Sequence, residues 1–296
     1  ALFSQPVHEV HMSKVISLKQ NNTPLFSFGL IADAQYCDHV SAGTRYYRSS
    51  LSKLKEAVGT FKENSVAFII NLGDLIDRDI ESYDPVLAIL NSSGIKTYHC
   101  TGNHDYAVKP ELRDQIPVLK PGGNGYYSFN TGKFRMIVLN GNEISTYASN
   151  NKELTDRAEA YIKKLGEEGA ENAIDWNGGI GRDQLLWLET ELKDADIKGE
   201  KAIIFCHFPI APDNIHNLLN YKDLLPVVEK NRSAVAWFNG HNHSGNYTEL
   251  SGKHFITMKG MVETESINSF ALVDVYIDRL VINGYGNEID RTLIFK

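Results

Sequence analysis

The sequence predicts an α/β fold in which two mixed sheets pack face to face and helices flank them. Five apolar runs, each about as long as a strand, end in a glycine or a polar cluster. Segments with helical spacing of apolar residues separate the first three runs, a pattern typical of parallel strands joined by helices. Beyond residue 246, shorter runs alternate with turns, as antiparallel strands do. The five long runs are residues 25–32, 66–72, 95–101, 202–205 and 234–238.

The first third of the chain is interpreted as β-α-β-α-β. Residues 46–64 carry Tyr47, Leu54 and Phe61 at multiples of about 3.6, which predicts a helix with one apolar face. A shorter helix is predicted at about 85–91, before the third run. We expect the first three strands to be parallel neighbours in one sheet.

The middle of the chain departs from this alternation. After a glycine-rich break at 121–125, two runs at 126–129 and 134–139 flank a short polar turn and predict a β-hairpin. Residues 141–181 are polar, and a charged helix is predicted within them at 153–165. We expect this segment to be an insertion, acting as a lid or a cover, within a single domain spanning 1–296.

Two further helices and a series of short strands complete the predicted elements. The helices cover 184–192, with leucines on one face, and about 214–230, which connects the fourth and fifth long runs. The final strands are expected to be antiparallel. They are predicted at 247–250, 254–258, 270–277, 279–285 and 292–295.

Composition excludes several classes of function. A formal net charge of -7 argues against a polynucleotide partner, because binding many phosphates requires a broad positive surface. No run of about twenty apolar residues predicts a membrane span, and residues 1–20 contain charges where a signal peptide has its apolar core. The three cysteines form no CxxC pair, which favours reduced thiols over a disulfide framework or a thiolate metal site. We expect a cytoplasmic monomer that acts on a small molecule.

Each of the five long runs ends in residues that can bind metal ions. In α/β sheets the carboxyl ends of strands bring separate segments to one site. We therefore expect a dinuclear metal centre there. The clusters are Asp33-Ala34-Gln35, Gly73-Asp74-Leu75-Ile76-Asp77-Arg78, Gly102-Asn103-His104-Asp105, Cys206-His207 and Gly240-His241-Asn242-His243.

The candidate ligands combine carboxylate, amide and imidazole groups. Carboxylates hold hard divalent cations, and one carboxylate can bridge two of them. A donor set of oxygen and nitrogen without thiolate suits Mn, Fe, Zn or Mg. Because the amide of Gln35 is a harder donor than imidazole, we expect Mn to be preferred at its half of the site. The candidate ligands are Asp33, Gln35, Asp74, Asn103, His207, His241 and His243.

Three more residues in these clusters suit phosphoryl chemistry. His104 directly follows a candidate ligand, so its imidazole is a candidate general acid, and Asp77 is a candidate partner that orients it. Arg78 can make bidentate contacts with phosphate oxygens. Any one of these clusters alone would be ordinary turn or surface chemistry, but five in order after five apolar runs favour a catalytic site.

The ordered motifs resemble the calcineurin-like metallophosphoesterase superfamily, whose pattern is Asp-x-His, Gly-Asp-x-x-Asp-Arg, Gly-Asn-His-Asp/Glu, a lone His and Gly-His-x-His. The resemblance spans residues 33–243 and implies a four-layer α/β/β/α fold with two metal ions. It also implies that His104 and Asp77 form an acid dyad and that Arg78 binds phosphate. One ion would be held by Asp33, Gln35, Asp74 and His243, and the other by Asp74, Asn103, His207 and His241.

Gln35 stands where most members of that superfamily carry histidine. Together with Ile-Ala-Asp-Ala-Gln-Tyr at the first motif and Tyr-Tyr-Arg-Ser at 46–49, it makes the chain similar to the manganese-dependent ADP-ribose/CDP-alcohol diphosphatase subfamily. That resemblance implies hydrolysis of the pyrophosphate bond of ADP-ribose, CDP-choline and related nucleotide diphosphate compounds. The products would be a nucleoside monophosphate and a phosphorylated remainder, with Mn2+ preferred and Zn, Fe or Mg open at one position.

Two alternatives stay open at this point. A cyclic-nucleotide phosphodiesterase or another phosphoesterase of the superfamily would use the same metal chemistry and differ only in its leaving-group pocket. A non-catalytic metal-binding scaffold is also compatible with the fold, although the nearly complete ligand set favours catalysis. Arg45 and Arg48 are additional candidates for contacting a second phosphate, against the simpler interpretation that they are solvated helix charges.

Overall fold

Twelve strands and five α-helices build the part of the chain that the computed structural model describes, residues 23–119 and 123–296. The helices are α1 (Ser50–Glu63), α2 (Tyr83–Ser92), α3 (Lys152–Glu167), α4 (Arg182–Lys198) and α5 (Tyr221–Lys230). The strands are β1 (Phe26–Ile31), β2 (Phe68–Asn71), β3 (Thr97–His99), β4 (Tyr127–Thr131), β5 (Phe134–Val138), β6 (Lys201–Phe205), β7 (Ala234–Asn239), β8 (Asn246–Leu250), β9 (Lys253–Thr257), β10 (Ser269–Val275), β11 (Arg279–Gly286) and β12 (Arg291–Ile294).

The strands form two six-stranded mixed sheets. The first sheet has the order β12-β11-β10-β1-β2-β3, and β1, β2 and β3 are parallel neighbours, as the β-α-β-α-β pattern predicts. The second sheet has the order β4-β5-β6-β7-β9-β8, with the predicted hairpin β4–β5 at one edge. The carboxyl ends of β1, β2, β3, β6 and β7 are those that carry the five motif clusters.

The expectation that all the final strands are antiparallel is wrong for one pairing. β9 is antiparallel to β8 but parallel to β7. The burial patterns supply the reason, because every residue of β9 is buried whereas β8 alternates between intermediate and exposed positions. A strand buried along its whole length needs a neighbour on both sides, so β9 lies inside the sheet and β8 forms the edge.

Three apolar layers hold the four structural layers together. Between the sheets, side chains such as Phe28, Phe68 and Phe205 interdigitate, with the Phe28 and Phe68 rings stacked 5.3 Å apart. The outer face of the first sheet packs on α1 and α2, and the outer face of the second packs on α4 and α5. This arrangement confirms the predicted α/β/β/α sandwich of two mixed sheets flanked by helices.

The predicted helix at about 214–230 begins later than expected, at Tyr221. The residues before it form turns closed by side chains. The Asn214 side chain accepts a bond from His216 N at 2.8 Å and donates to Pro212 O at 2.7 Å. Such local side-chain bonds compete with helical backbone bonds, which explains the shorter helix.

The remaining expectations concern the ends of the chain and membranes. The interpretation that residues 1–20 lack a signal-peptide core falls outside the described residues. Within the described ranges, no helix combines the length and the apolarity needed to cross a bilayer.

Candidate metal centre

Backbone hydrogen bonds join the motif loops at the carboxyl edge of both sheets. Gln35 N donates to Asp74 O at 2.8 Å, which ties the loop after β1 to the loop after β2. His241 N donates to the Asp33 carboxylate at 3.1 Å, which links the second sheet to the first. Gly240 N donates to His207 O at 3.0 Å. His104 N, in the loop after β3, donates to Asp74 Oδ1 at 2.8 Å, so the loops form one connected surface on which all five clusters meet.

The backbone at this surface is in an uncommon conformation. Five of the eight non-glycine residues with positive φ among those described belong to the clusters. Left-handed backbone is unfavourable for residues that have a Cβ, and such residues concentrate at functional sites. The five have φ values between 44° and 68° and are Asp33, Gln35, Asp74, Arg78 and His241.

The side chains converge in two groups that share Asp74. The possible ligand atoms of Asp74, His207 and His241 lie within 4.8 Å of one another, and so do those of Asp33, Asp74 and His243. We call the half formed by Asp33, Gln35, Asp74 and His243 the Gln35 position, and the half formed by Asp74, Asn103, His207 and His241 the Asn103 position. The two amides lie with their groups, since Gln35 Nε2 is 3.1 Å from His243 Nε2 and Asn103 Oδ1 is 3.3 Å from His207 Nε2.

Each candidate imidazole ligand has one ring nitrogen occupied by a partner outside the two groups. A ring nitrogen that donates its hydrogen to an acceptor leaves the lone pair of the other nitrogen available to a metal ion. The other three ring nitrogens point into the two groups: His207 Nε2 lies 3.3 Å from Asp74, His243 Nε2 lies 3.4 Å from Asp33, and His241 Nδ1 lies 3.2 Å from His207 Nε2. The bonds run from His207 Nδ1 to Leu72 O (3.0 Å), from His241 Nε2 to Asn177 Oδ1 (2.9 Å) and from His243 Nδ1 to Glu263 Oε1 (2.6 Å).

The donor set fits divalent cations. His207 Nε2 and His241 Nδ1 face each other at 3.2 Å, so two acceptor nitrogens converge beside the carboxylate of Asp74. Gln35 Oε1 is buried and has no hydrogen-bond partner among the described residues, while its amide nitrogen points at Asp74. Rotating that amide by half a turn exchanges the two atoms and places the oxygen among the ligands, and a cation between them would satisfy every one of these acceptors.

Asp105 organises the loop that carries Asp74, a role that the sequence analysis missed. Its buried carboxylate accepts bonds from the backbone nitrogens of Asp74 (2.9 Å), Leu75 (3.0 Å) and Gly102 (2.9 Å) and from Tyr83 Oη (2.9 Å). Burial and the neighbouring charge of Asp74 raise the pKa of Asp105. The signal was its place at the end of Gly-Asn-His-Asp, where an acceptor can return to the preceding loop.

His104 and Asp77 lie in contact at the edge of the site. His104 Nδ1 is 3.0 Å from Asp77 Oδ1, and His104 N donates to Asp74 Oδ1 at 2.8 Å. Burial lowers the pKa of His104, but the carboxylates of Asp74 and Asp77 outweigh it and raise the pKa overall. Arg45 Nη1 lies 3.3 Å from His104 Nε2, so this guanidinium stands beside the nitrogen that Asp77 leaves free.

The other two arginines lie farther from the candidate ligands. The guanidinium carbon of Arg78 is 5.4 Å from the centre of the Tyr47 ring, and its Nε is 3.6 Å from Asp77 Oδ2. The Arg78 side chain is 48% exposed, and its Nη2 donates to Tyr47 Oη at 3.4 Å. Arg48 pairs with Asp38 at 2.6 Å, and both side chains are mostly exposed.

Three residues near the ligands have no strong local signal in the sequence. Glu263 and Asn177 contact His243 and His241 from segments far away in the chain. The ring of His216 lies 5.4 Å from that of His241, and its Nδ1 is buried without a hydrogen-bond partner in the part of the chain that the structure describes. Only Asn177 could have been suspected, since it precedes the Gly178-Gly179 break.

Several known proteins resemble this chain in sequence and in fold. A human manganese-dependent ADP-ribose/CDP-alcohol diphosphatase is 30% identical, covering 95% of this chain and 96% of the relative. An Arabidopsis thaliana protein of the same name is 30% identical, covering 88% and 94%. The crystal structure of a dimetal phosphatase from Danio rerio superposes with a TM-score of 0.83 at 27% identity, covering 92% of this chain and all of that one. The sequence profile of the calcineurin-like phosphoesterase family matches residues 26–245. These matches confirm the resemblance found in the motifs, and the chain belongs to the calcineurin-like phosphoesterase family.

Proposed function

We propose that this protein is a manganese-dependent hydrolase of nucleotide diphosphate compounds. It cleaves the pyrophosphate bond of ADP-ribose, CDP-choline and related molecules and releases a nucleoside monophosphate and a phosphorylated product. The observation that carries the proposal is the pair of ligand groups sharing Asp74, with the contact between His104 and Asp77 beside them. The names of relatives that match nearly the whole chain support the choice of substrate.

The Gln35 position and the Asn103 position would each hold one divalent ion. Bound there, two divalent ions supply positive charge that stabilises the developing charge on phosphoryl oxygens and lowers the pKa of water. The oxygen and nitrogen donors, without a thiolate, support Mn2+. Gln35 supports it further, because its amide oxygen is a harder donor than the imidazole that most members of the family carry.

The chain's own groups orient the substrate and transfer the proton. Asp77 accepts the bond from His104 Nδ1 and so keeps His104 Nε2 turned toward the cleft, where it can donate a proton to the leaving phosphate oxygen. Arg45, next to that nitrogen, and Arg78, partly exposed beside Asp77, can bind the oxygens of the two phosphates. The burial of Asp33, Asp74 and His207 excludes bulk water from behind the reacting phosphate.

Product analysis tests this assignment. Metal-stripped protein is supplied with Mn2+ or Mg2+ and given ADP-ribose, CDP-choline or cyclic AMP, with Asp74→Asn as the control that removes the negative charge of the shared carboxylate. We expect Mn2+-dependent release of AMP and CMP from the first two substrates and none from the variant. Cleavage of cyclic AMP alone would establish a phosphodiesterase instead. Absence of turnover of all three would favour the scaffold.

The role of residues 141–181 also belongs to the proposal. We infer that α3, whose residues are mostly exposed, covers the substrate and contributes to selectivity. Replacing 152–167 by a short flexible linker leaves Asn142 and Asn177 in place, and it should reduce discrimination between ADP-ribose and CDP-choline. An unchanged substrate profile in a folded deletion variant would refute the lid.

We further propose that the protein acts as a monomer in a reducing compartment and binds no polynucleotide. Three free, buried cysteines support the reducing compartment. The negative net charge supports the absence of a polynucleotide partner. Size-exclusion chromatography with light scattering, with and without Mn2+, tests the oligomeric state.

A further inference from the structure

The segment 141–181 contributes a residue to the candidate metal centre as well as lying beside it. Asn177 is completely buried, and its Oδ1 accepts a hydrogen bond from His241 Nε2 at 2.9 Å. The opposite ring nitrogen, His241 Nδ1, faces His207 within the Asn103 position. Asn177 and His241 are thus in contact although they are 64 positions apart in the chain.

The orientation of the Asn177 amide follows from its other bonds. Its nitrogen Nδ2 donates to Asn172 O at 3.0 Å and to Ile215 O at 2.7 Å. Both of these partners are carbonyls and can only accept, so the nitrogen must face them and the oxygen must face His241. An acceptor fixed in this way requires a hydrogen on His241 Nε2 and leaves the lone pair of Nδ1 directed into the centre.

We propose that Asn177 is a positioning residue that fixes the tautomer and the ring orientation of His241 for metal binding at the Asn103 position. This inference rests on the proposed function in taking His241 as a ligand. It assigns to the insertion a part in holding the metal ion, independent of any covering of substrate. Partners that orient ligand imidazoles commonly change metal affinity by about 10-fold to 100-fold when they are removed.

The two histidines of Gly-His-Asn-His differ in the charge of the side chain that contacts the ring nitrogen facing away from the centre. His243 Nδ1 contacts the carboxylate of Glu263, whereas His241 Nε2 contacts a neutral amide. A carboxylate behind an imidazole raises its basicity as a ligand more than an amide does. The Gln35 position should therefore bind its ion more tightly than the Asn103 position, and loss of Asn177 should affect only the weaker of two binding events.

A pair of substitutions separates the bond to His241 from the structural bonds of Asn177. Asn177→Asp keeps an acceptor for His241 but cannot donate to the two carbonyls, and Asn177→Leu loses all three bonds. Both variants should lose similar thermal stability. Asn151→Ala is the matched control, because Asn151 caps α3 by accepting from Glu153 N at 2.9 Å and lies in the same segment.

The readout is calorimetric titration of metal-stripped protein with Mn2+ alone, so failure to hydrolyse ADP-ribose would not affect the result. We expect Asn177→Leu to weaken one of two binding events by 10-fold to 100-fold, Asn177→Asp to bind at least as tightly as wild type because it places a carboxylate behind His241, and Asn151→Ala to stay within threefold of wild type. Equal loss in the Asp and Leu variants, or unchanged affinity in Asn177→Leu, would overturn the proposal.

A measurement on the wild-type protein covers the case in which the variants do not fold. Long-range nitrogen–proton correlation spectra of the metal-free protein report which ring nitrogen of each neutral histidine carries the hydrogen. We expect His241 to be protonated at Nε2, with a slowly exchanging proton. Protonation at Nδ1 would contradict the assigned role of Asn177.

Discussion

Replacing Gly102 by alanine is expected to weaken metal binding severely. A Cβ at this position would collide with Asp74 Oδ1 and would lie 2.6 Å from His207 Cε1 and 2.7 Å from Asp74 Cγ. Ordinary contacts between carbon atoms are about 3.5–4.0 Å, so both side chains must move by about 1 Å. Sites that bind metals tolerate deviations of about 0.2 Å in ligand distance, and this change exceeds that limit for two ligands at once.

The magnitude follows from these displacements. Asp74 is shared by both groups, so both binding events should weaken, each by about 100-fold or more, which corresponds to about 2.7 kcal/mol. Overpacking should also lower the free energy of unfolding of the metal-free protein by about 1–3 kcal/mol. Titration calorimetry with Mn2+ measures the first effect and urea unfolding the second.

Gly59→Ala is the matched control for this substitution. Gly59 lies inside α1, and a Cβ there would meet no atom of residues 23–119 or 123–296 within 4 Å. Alanine should therefore stabilise the fold by about 0.5–1 kcal/mol and leave Mn2+ binding unchanged. If Gly102→Ala bound Mn2+ with wild-type affinity, the reasoning would fail, because Asp74 and His207 would then be free to move without consequence.

Three further predictions concern Gln35, Asp105 and Arg135, and Lys152 supplies a control for the last of them. Gln35→His should broaden the range of metals that support activity toward Zn2+ or Fe2+, because imidazole is the softer donor. Activity assays with each metal test this, and an unchanged metal profile would contradict it. Asp105→Ala leaves buried backbone donors unpaired, so we expect a loss of about 2–3 kcal/mol in unfolding free energy and weaker Mn2+ binding; wild-type values in urea unfolding and calorimetry would contradict this. Arg135 on β5 pairs with three carboxylates on and just after α4 at 2.7–3.2 Å, and Arg135→Ala should cost about 2 kcal/mol in urea unfolding without changing Mn2+ affinity. Lys152→Ala, which breaks an exposed ion pair, should produce no measurable change in the same experiment.

The sequence predicted the sheet elements and the clusters of candidate ligands that the structure brings together, because both depend on local patterns. A buried strand is a continuous apolar run, and a ligand at its carboxyl end follows directly in the chain, as Asp33 follows β1. The late start of α5 was not predictable from apolar spacing, because the side chain of Asn214 bonds within its own turn instead. The position of β9 inside the sheet was also not predictable, because the sequence at 254–258 does not reveal that both faces of this strand are buried.

The residues that hydrogen-bond to the candidate ligands could not be predicted from the sequence, for a different reason. Glu263 lies 20 residues after His243, and Asn177 lies 64 residues before His241. Both reach the site only through tertiary packing, and an asparagine before two glycines is ordinary turn chemistry in most chains. Asp105 was within a recognised motif, yet its role became apparent only from the backbone nitrogens that surround it.

The left-handed backbone of the five cluster residues limits how far laboratory selection can raise the stability of this protein without loss of function. Each such residue costs about 1 kcal/mol relative to ordinary backbone, and five of them cost about as much as the whole net stability of a marginal domain. Glycine at these positions would relieve the strain and remove the functional side chain. A search for heat-resistant variants in metal-free buffer should therefore enrich inactive sequences, whereas the same search with Mn2+ present should retain the ligands, because binding the ions offsets the strain.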